Sequence, residues 1–245
     1  MICFLIIIEL FLISLSESFN PLILPSGFPL RRQNSEFHSS TVQTESESTS
    51  DGELWKGVID ARNILLEAAN TRSADAERVV DNILFLERKM RLINNSDVGK
   101  TASNTFSSLD GTWRLIFTTG TANTQKKLGR KINYFPLKAV QSFNNTNMTI
   151  NNGIYFGDFP VIKFYGKHKW EPRLRKLLFD FDELQIFGFR FNLPKDGASA
   201  LVGETKELKK TGGAFFTFIS VDDDIAVGRG AGGGLAIWKR IENVV

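Results

Sequence analysis

Between residues 111 and 240 the chain repeats short runs in which apolar and polar residues alternate with a period of two. In the first run Trp113, Leu115 and Phe117 fall on one side, with Arg114 and Thr118 opposite. Further runs cover 134–143, 147–151, 161–170, 177–182, 184–193, 214–221, 225–228 and 235–240, and in one of them Phe187, Phe189 and Phe191 alternate with Gly188, Arg190 and Asn192. Turn signals separate them at Asn152-Gly153, Gly157-Asp158, Pro194-Lys195-Asp196-Gly197 and Gly212-Gly213. Strands this apolar must bury a face, and a sheet that closes on itself leaves no edge open to aggregation. The pattern therefore predicts a mainly β protein: an antiparallel barrel of about eight strands, filled by side chains or enclosing one small ligand. The aromatic content fits this, with 21 Phe against 3 Tyr and 4 Trp, because Phe brings contact area without a polar group that needs a partner.

Ahead of the strands the period is helical. Ser50 and Glu53 read as a capping box, followed by apolar pairs at Leu54/Trp55, Val58/Ile59, Leu65/Leu66 and Ala68/Ala69. Ser73 is placed to cap a second helix, with Asp75 and Glu77 in its first turn and an apolar face of Val79/Val80, Ile83/Leu84, Leu86 and Met90. This helical hairpin spans 51–97, and the barrel 98–245.

Residues 1–18 carry an apolar stretch too short to cross a membrane, with Ser16-Glu17-Ser18 as a small-x-small cleavage site, and read as a signal peptide. Residues 19–50 are rich in Ser and Thr, with Arg31-Arg32 and no acid before Glu36, and read as a transit-like leader. Phe19 at the junction fits the two-part leader of algae with complex plastids. The competing reading is plain secretion with a polar linker, which would open the sequons at Asn94, Asn144 and Asn147 to glycosylation.

The single cysteine, Cys3, lies inside the apolar leader. That excludes disulfides, thiolate catalysis and zinc–sulfur sites from the rest of the chain. The net charge of +3 is too small to point to nucleic acid. Residues 228–233 match a dinucleotide fingerprint in letters, but a strand pattern follows where a helix N-terminus is needed. Asp222-Asp223-Asp224 lacks the spaced ligands of a calcium loop and reads as a solvated turn. His168 stands among cations with no nucleophile or carboxylate set around it. No cofactor or metal is expected.

Three groups of residues qualify as sites. Gly111-Thr112-Trp113 resembles the Gly-x-Trp of lipocalins, where the indole plugs one end of the barrel under a basic residue; Lys239 or Arg240 is placed to supply it. Phe164, Trp170, Phe181, Phe189, Phe216 and Phe218 are candidates by alternation to line an apolar ligand, or else to form a solid core. Lys163, Lys167, Lys169, Arg173, Arg175 and Lys176 crowd one stretch and could face anionic headgroups or simply water; Lys126, Lys127, Arg130 and Lys131 form a second cluster.

Taken together, the paired helices, Leu109-Asp110-Gly111-Thr112-Trp113-Arg114-Leu115-Ile116-Phe117-Thr118-Thr119, Asn152-Gly153-Ile154-Tyr155 and the closing Asp224-Ile225-Ala226-Val227-Gly228-Arg229-Gly230 to Ile237 resemble the plastid lipid-associated proteins, the plant fibrillins. The chain departs from that pattern at Ala226 and Ala231, where the family has Arg and Asp. The resemblance implies a lipocalin-like barrel without enzyme activity. It further implies a plastid protein that binds lipid, quinone or carotenoid, or docks on thylakoid or plastoglobule surfaces. An enzyme acting on a plastid lipid, or a scaffold that binds protein through its helices, are the other readings the residues leave open.

Overall fold

The computed structural model describes residues 46–97, 99–121, 125–126, 129, 133–193 and 214–242, with side chains from residue 52. The leader expected over 1–18 and 19–50 lies outside this range except for residues 46–50, which already belong to the first helix, α1 (Ser46–Thr71). The turn signals at 194–197 and 212–213 also lie outside it. Of the second basic cluster only Lys126 is inside it.

Helix α2 (Ala76–Ser96) follows, capped by Asp75 and not by Ser73, because the Asp75 carboxylate accepts the Arg78 amide at 2.9 Å. A third helix, α3 (Lys100–Leu109), occupies a stretch that has no helical signal in its composition. It forms because Asp97 accepts the amides of Gly99 and Thr101 at 3.1 and 2.7 Å. Its buried face, Ala102, Thr105 and Leu109, then packs on the barrel.

The strands are β1 (Gly111–Thr118), β2 (Asn133–Tyr134), β3 (Lys138–Asn144), β4 (Thr149–Phe156), β5 (Phe159–Glu171), β6 (Lys176–Ile186), β7 (Phe189–Asn192), β8 (Ala214–Val221), β9 (Ile225–Gly230) and β10 (Leu235–Ile241). They run β10-β9-β8-β6-β5-β4-β3-β1 as antiparallel neighbours, and β10 pairs with β1, which closes the ring. This is the lipocalin-like barrel of eight strands that the alternation predicts; β2 and β7 are short additions on β1 and β6.

Two local expectations fail for physical reasons. Asn152-Gly153 reads as a turn but sits in the middle of β4, hydrogen-bonded on both sides, with Asn152 opposite Gln141 on β3 and Phe164 on β5. Gly153 serves packing instead: a Cβ there would stand 2.8 Å from the Tyr155 ring and 3.2 Å from Lys163 Cγ. The run 184–193 is not one strand. It turns back at Phe187-Gly188, both at positive φ (49° and 92°), to make the β6–β7 hairpin.

Two apolar clusters result. The inner one fills the barrel with Trp113, Phe143, Ile150, Ile154, Phe164, Phe179, Phe181, Phe216, Phe218 and Trp238, among others. The outer one joins α1 and α2 to the outside of β1, β8, β9 and β10 through Val58, Leu65, Val79, Ile83, Leu86, Phe117, Ile219, Val227 and Ile237. A bulge between Leu115 and Phe117 breaks the alternation in β1, so Phe117 faces the helices and not the barrel interior with Trp113. Two sets of ion pairs pin this layer. Arg62 on α1 holds Asp222 and Asp224 at 2.6 and 2.8 Å, so that acidic turn is salt-bridged to a helix and not merely solvated. Glu87 on α2 takes Arg229.

Candidate functional site

One end of the barrel is closed by α3 and a plug. The indole of Trp113 is fully buried and donates from Nε1 to the carbonyl of Leu109 at 2.8 Å. Arg240 lies over the ring, 4.2 Å from its centroid, and its guanidinium donates to the carbonyls of Ser108, Asp110 and Asp223 at 2.5, 2.8 and 2.8 Å. Lys239 points the other way; it pairs with Ile225 on β9 and takes no part in the plug. Beside the plug, Phe106 of α3 stacks on Trp170, with centroids 5.4 Å apart. His168 sits between Phe106 and Phe143, buried, and neither ring nitrogen reaches a partner in hydrogen-bond geometry. Burial pulls its pKa below the usual histidine range and outweighs the opposing pulls of the Asn144 backbone and the Asp110 carboxylate.

Of the six candidate lining residues, Phe164, Phe181, Phe216 and Phe218 belong to the inner cluster, and Trp170 packs against it half-buried. Most of its rings form one chain of contacts: Phe164–Phe181 at 5.4 Å, Phe179–Phe181 at 5.5 Å, Phe179–Phe216 at 5.0 Å and Phe216–Trp238 at 5.4 Å. Phe189 is not among them; it is 72% exposed on the β6–β7 hairpin. It shares the sheet face of its partner Ile186, but among the described residues β8 pairs only the other end of β6, from Lys176 to Phe179.

Beside this aromatic wall the interior also holds polar side-chain atoms without partners. Asn152 is 1% exposed, and its carbonyl oxygen and amide nitrogen both lack a partner. Gln141 Oε1 next to it on β3, and Trp238 Nε1, are buried and unpartnered as well. Asn152 lies between Ile150 and Ile154 on β4, and Gln141 between Ala139 and Phe143 on β3; all four apolar neighbours belong to the inner cluster, so both amides face inward. By contrast Asp180 and Asp182, the carboxylates nearest the aromatic wall in sequence, are exposed.

At the end of the barrel away from the plug, several of the described side chains are apolar and exposed. The β4–β5 turn carries Phe156 and Phe159, the β6–β7 turn Phe187, Phe189 and Phe191, and all five are exposed, Phe156 at 81%. The two turns share one rim, since Ile162 pairs with Ile186 and the Phe187 amide donates to the Val161 carbonyl at 2.9 Å. Sequence alternation hides this rim, because it treats every Phe as a buried one. The only signal was Gly157-Asp158 bracketed by phenylalanines.

The basic stretch does not form one face. Lys163, Lys167 and Lys169 alternate with the inward residues of β5 and point outward along the barrel wall. Arg173 is exposed on the short turn Pro172–Leu174, and Lys176 sits 3.9 Å over the Phe215 ring. Arg175 is no surface cation: it is 6% exposed and donates to the Ile219 carbonyl at 2.7 Å. Outside the barrel a groove of about 500 Å³ runs over β1, β3 and β4, lined by Thr112, Ser142, Asn144, Thr149, Asn151 and Lys163 among others. Its hydroxyls and amides do not suit a hydrocarbon.

A closed eight-stranded barrel with an aromatic interior, a plugged base and an apolar rim defines a lipocalin-like barrel protein. The PAP_fibrillin family model matches residues 68–239, well over half of the chain. The chain therefore belongs to the PAP_fibrillin family, the plastid lipid-associated proteins. No curated protein matches. Among solved structures, a lipocalin-like protein from Bacteroides uniformis ATCC 8492 aligns over 55% of this chain and 99% of its own, at 13% identity and a TM-score of 0.32.

Proposed function

We propose that this is a non-catalytic lipid-associated protein of the plastid. Its rim phenylalanines rest in the surface of a thylakoid or plastoglobule, and its barrel takes an apolar small molecule from that surface. The observation that carries the reading is the set of five exposed phenylalanines on two adjacent hairpins. Burying one such side chain in an apolar phase is worth about 1.5–3 kcal/mol, so even two of them hold a protein on a lipid surface. Two of the described cations near the rim, Lys138 and Arg190, are paired with Asp158 and Glu183, which weakens their pull on anionic headgroups. The exposed positions of Asp180 and Asp182 favour binding over chemistry. The two-part leader is the route by which the chain would reach the plastid.

Flotation of the chain with neutral-lipid vesicles tests this. The wild type floats at low and high salt alike. A Phe156→Ser/Phe189→Ser variant loses at least about tenfold in affinity. Undiminished flotation of that variant would defeat the rim reading. Binding that needs anionic lipid and collapses with salt would instead assign docking to Lys163, Lys167 and Lys169 on the barrel wall.

A further inference from the structure

Buried amides are almost always hydrogen-bonded, and an unmade bond inside an apolar core is costly. Asn152 leaves both of its side-chain polar atoms unmatched at 1% exposure, and Gln141 Oε1 beside it is unmatched too. The Asn-Gly dipeptide belongs by its local preference in a turn, yet the barrel holds it mid-strand with the amide turned inward. A sequence that overrides local preference to place an unsatisfied polar group in an aromatic interior marks a functional position.

We infer that Asn152 and Gln141 form the polar end of the ligand site. The guest is an amphipathic lipid whose head is uncharged and carries a hydroxyl or carbonyl. Both amides stand on the rung of Trp113, beside the plug: Trp113 pairs with Gln141, and Gln141 with Asn152. The Ile154 rung and the rim lie between them and the mouth, about 14 Å of strand from Asn152 to Phe156. A guest enters head first, and its tail points back toward the lipid surface. Asn152 offers a donor and an acceptor, and Gln141 an acceptor, a set that matches a hydroxyl and leaves a carbonyl one donor to use. Neither amide brings a charge, so a carboxylate or phosphate gains no ion pair from them, and burying an unpaired charge is prohibitive. A site built to hydrogen-bond a hydroxyl rejects the analogue that lacks it. The inference rests on the barrel being the guest chamber proposed above.

Three of the four tryptophans, Trp113, Trp170 and Trp238, belong to the inner cluster or pack against it and report on a guest. Undecanol brominated at mid-chain and the matching brominated undecane are titrated into the full chain, with quenching of tryptophan emission as the readout. The wild type binds the alcohol at least about tenfold more tightly than the hydrocarbon. Asn152→Leu abolishes that ratio, keeps hydrocarbon affinity within about twofold, and raises the melting temperature of the empty protein, because an unmatched amide has gone. Gln141→Leu reduces the ratio in the same direction and carries the test if Asn152→Leu does not fold. A wild-type ratio near one, or a ratio unchanged in the variants, overturns the inference. So does a lower melting temperature in Asn152→Leu with the ratio intact, which would assign the amides to buried water. Binding of neither compound overturns the guest chamber as well, while the flotation result would stand apart from it.

Discussion

The guanidinium of Arg240 lies 4.2 Å from the centre of the Trp113 ring and ties the last barrel strand to the first turn of backbone before β1. One side chain thus joins β10, α3 and the β8–β9 turn through four carbonyls, that of Asp222 among them, and an indole. Arg240→Ala removes all of these and is expected to cost about 2–4 kcal/mol, from the cation–π contact and the charge-assisted bonds together. Arg240→Lys keeps the charge but loses the fork, and recovers less than half of that loss. Lys239→Ala stays within about 0.5 kcal/mol of the wild type. Urea unfolding midpoints of the three variants decide the matter; equal effects at 239 and 240 would contradict the geometry.

Glu87 and Arg229 form a two-pronged pair at 2.9 and 2.7 Å, which fastens α2 to β9, and Arg229 also donates to the Gly233 carbonyl. The hydrogen bond from Arg229 is the main reason the Glu87 pKa lies below the usual carboxylate value, against the opposing pull of burial. A depressed carboxylate stabilises the fold above its unfolded pKa, near 4.5, and that share is lost as pH falls through the folded value. Glu87→Gln should cost about 1 kcal/mol at neutral pH and nothing in strong acid. Denaturant midpoints measured at pH 7 and at successively lower pH below 4.5 would show the gap between wild type and variant narrowing.

His168 acts in a higher pH window. Its folded pKa is lowered, so below about 6.5 the unfolded chain binds a proton that the native chain resists. Stability therefore falls as pH drops from about 6.5 toward the folded pKa and levels off beneath it. His168→Phe removes this limb, and its stability should be flat across that interval. The other histidine, His38, lies outside the described residues. A wild-type profile with no slope between about pH 6.5 and 5 would show that the ring is not held neutral in the native state.

Gly166 sits at the bulge where β5 meets β6, and a Cβ there would lie 1.9 Å from the backbone oxygen of Asp180. Gly166→Ala must push two strands apart and is expected to cost about 3 kcal/mol or more, read as a lower melting temperature or loss of soluble protein. A melting temperature within a few degrees of the wild type would mean the bulge is far softer than its geometry implies.

How much of this was legible in the residues depends on the range of the interaction. The strand runs, the two helices before them and the Gly-x-Trp plug follow from periods of two and 3.6 and from one local motif. Errors arose where a distant partner outweighed a local preference. Asn152-Gly153 favours a turn, but ladders to β3 and β5 hold it straight. Helix α3 has a weak composition, yet Asp97 caps it and the barrel base receives Leu109 and Phe106. Arg175 reads as one of a crowd of cations, but a left-handed backbone (φ 49°) turns it inward to Ile219.

The sequence by itself determined that the chain would close a Phe-rich antiparallel barrel behind a helical layer, because burial of alternating faces is a one-dimensional property that residue order fixes. Only the tertiary structure decided which phenylalanines are core and which are exposed, and that two amides face the barrel interior without partners. Those facts depend on where the walls end and on what stands across the barrel, and such distances between residues far apart in the chain arise only when the ring closes.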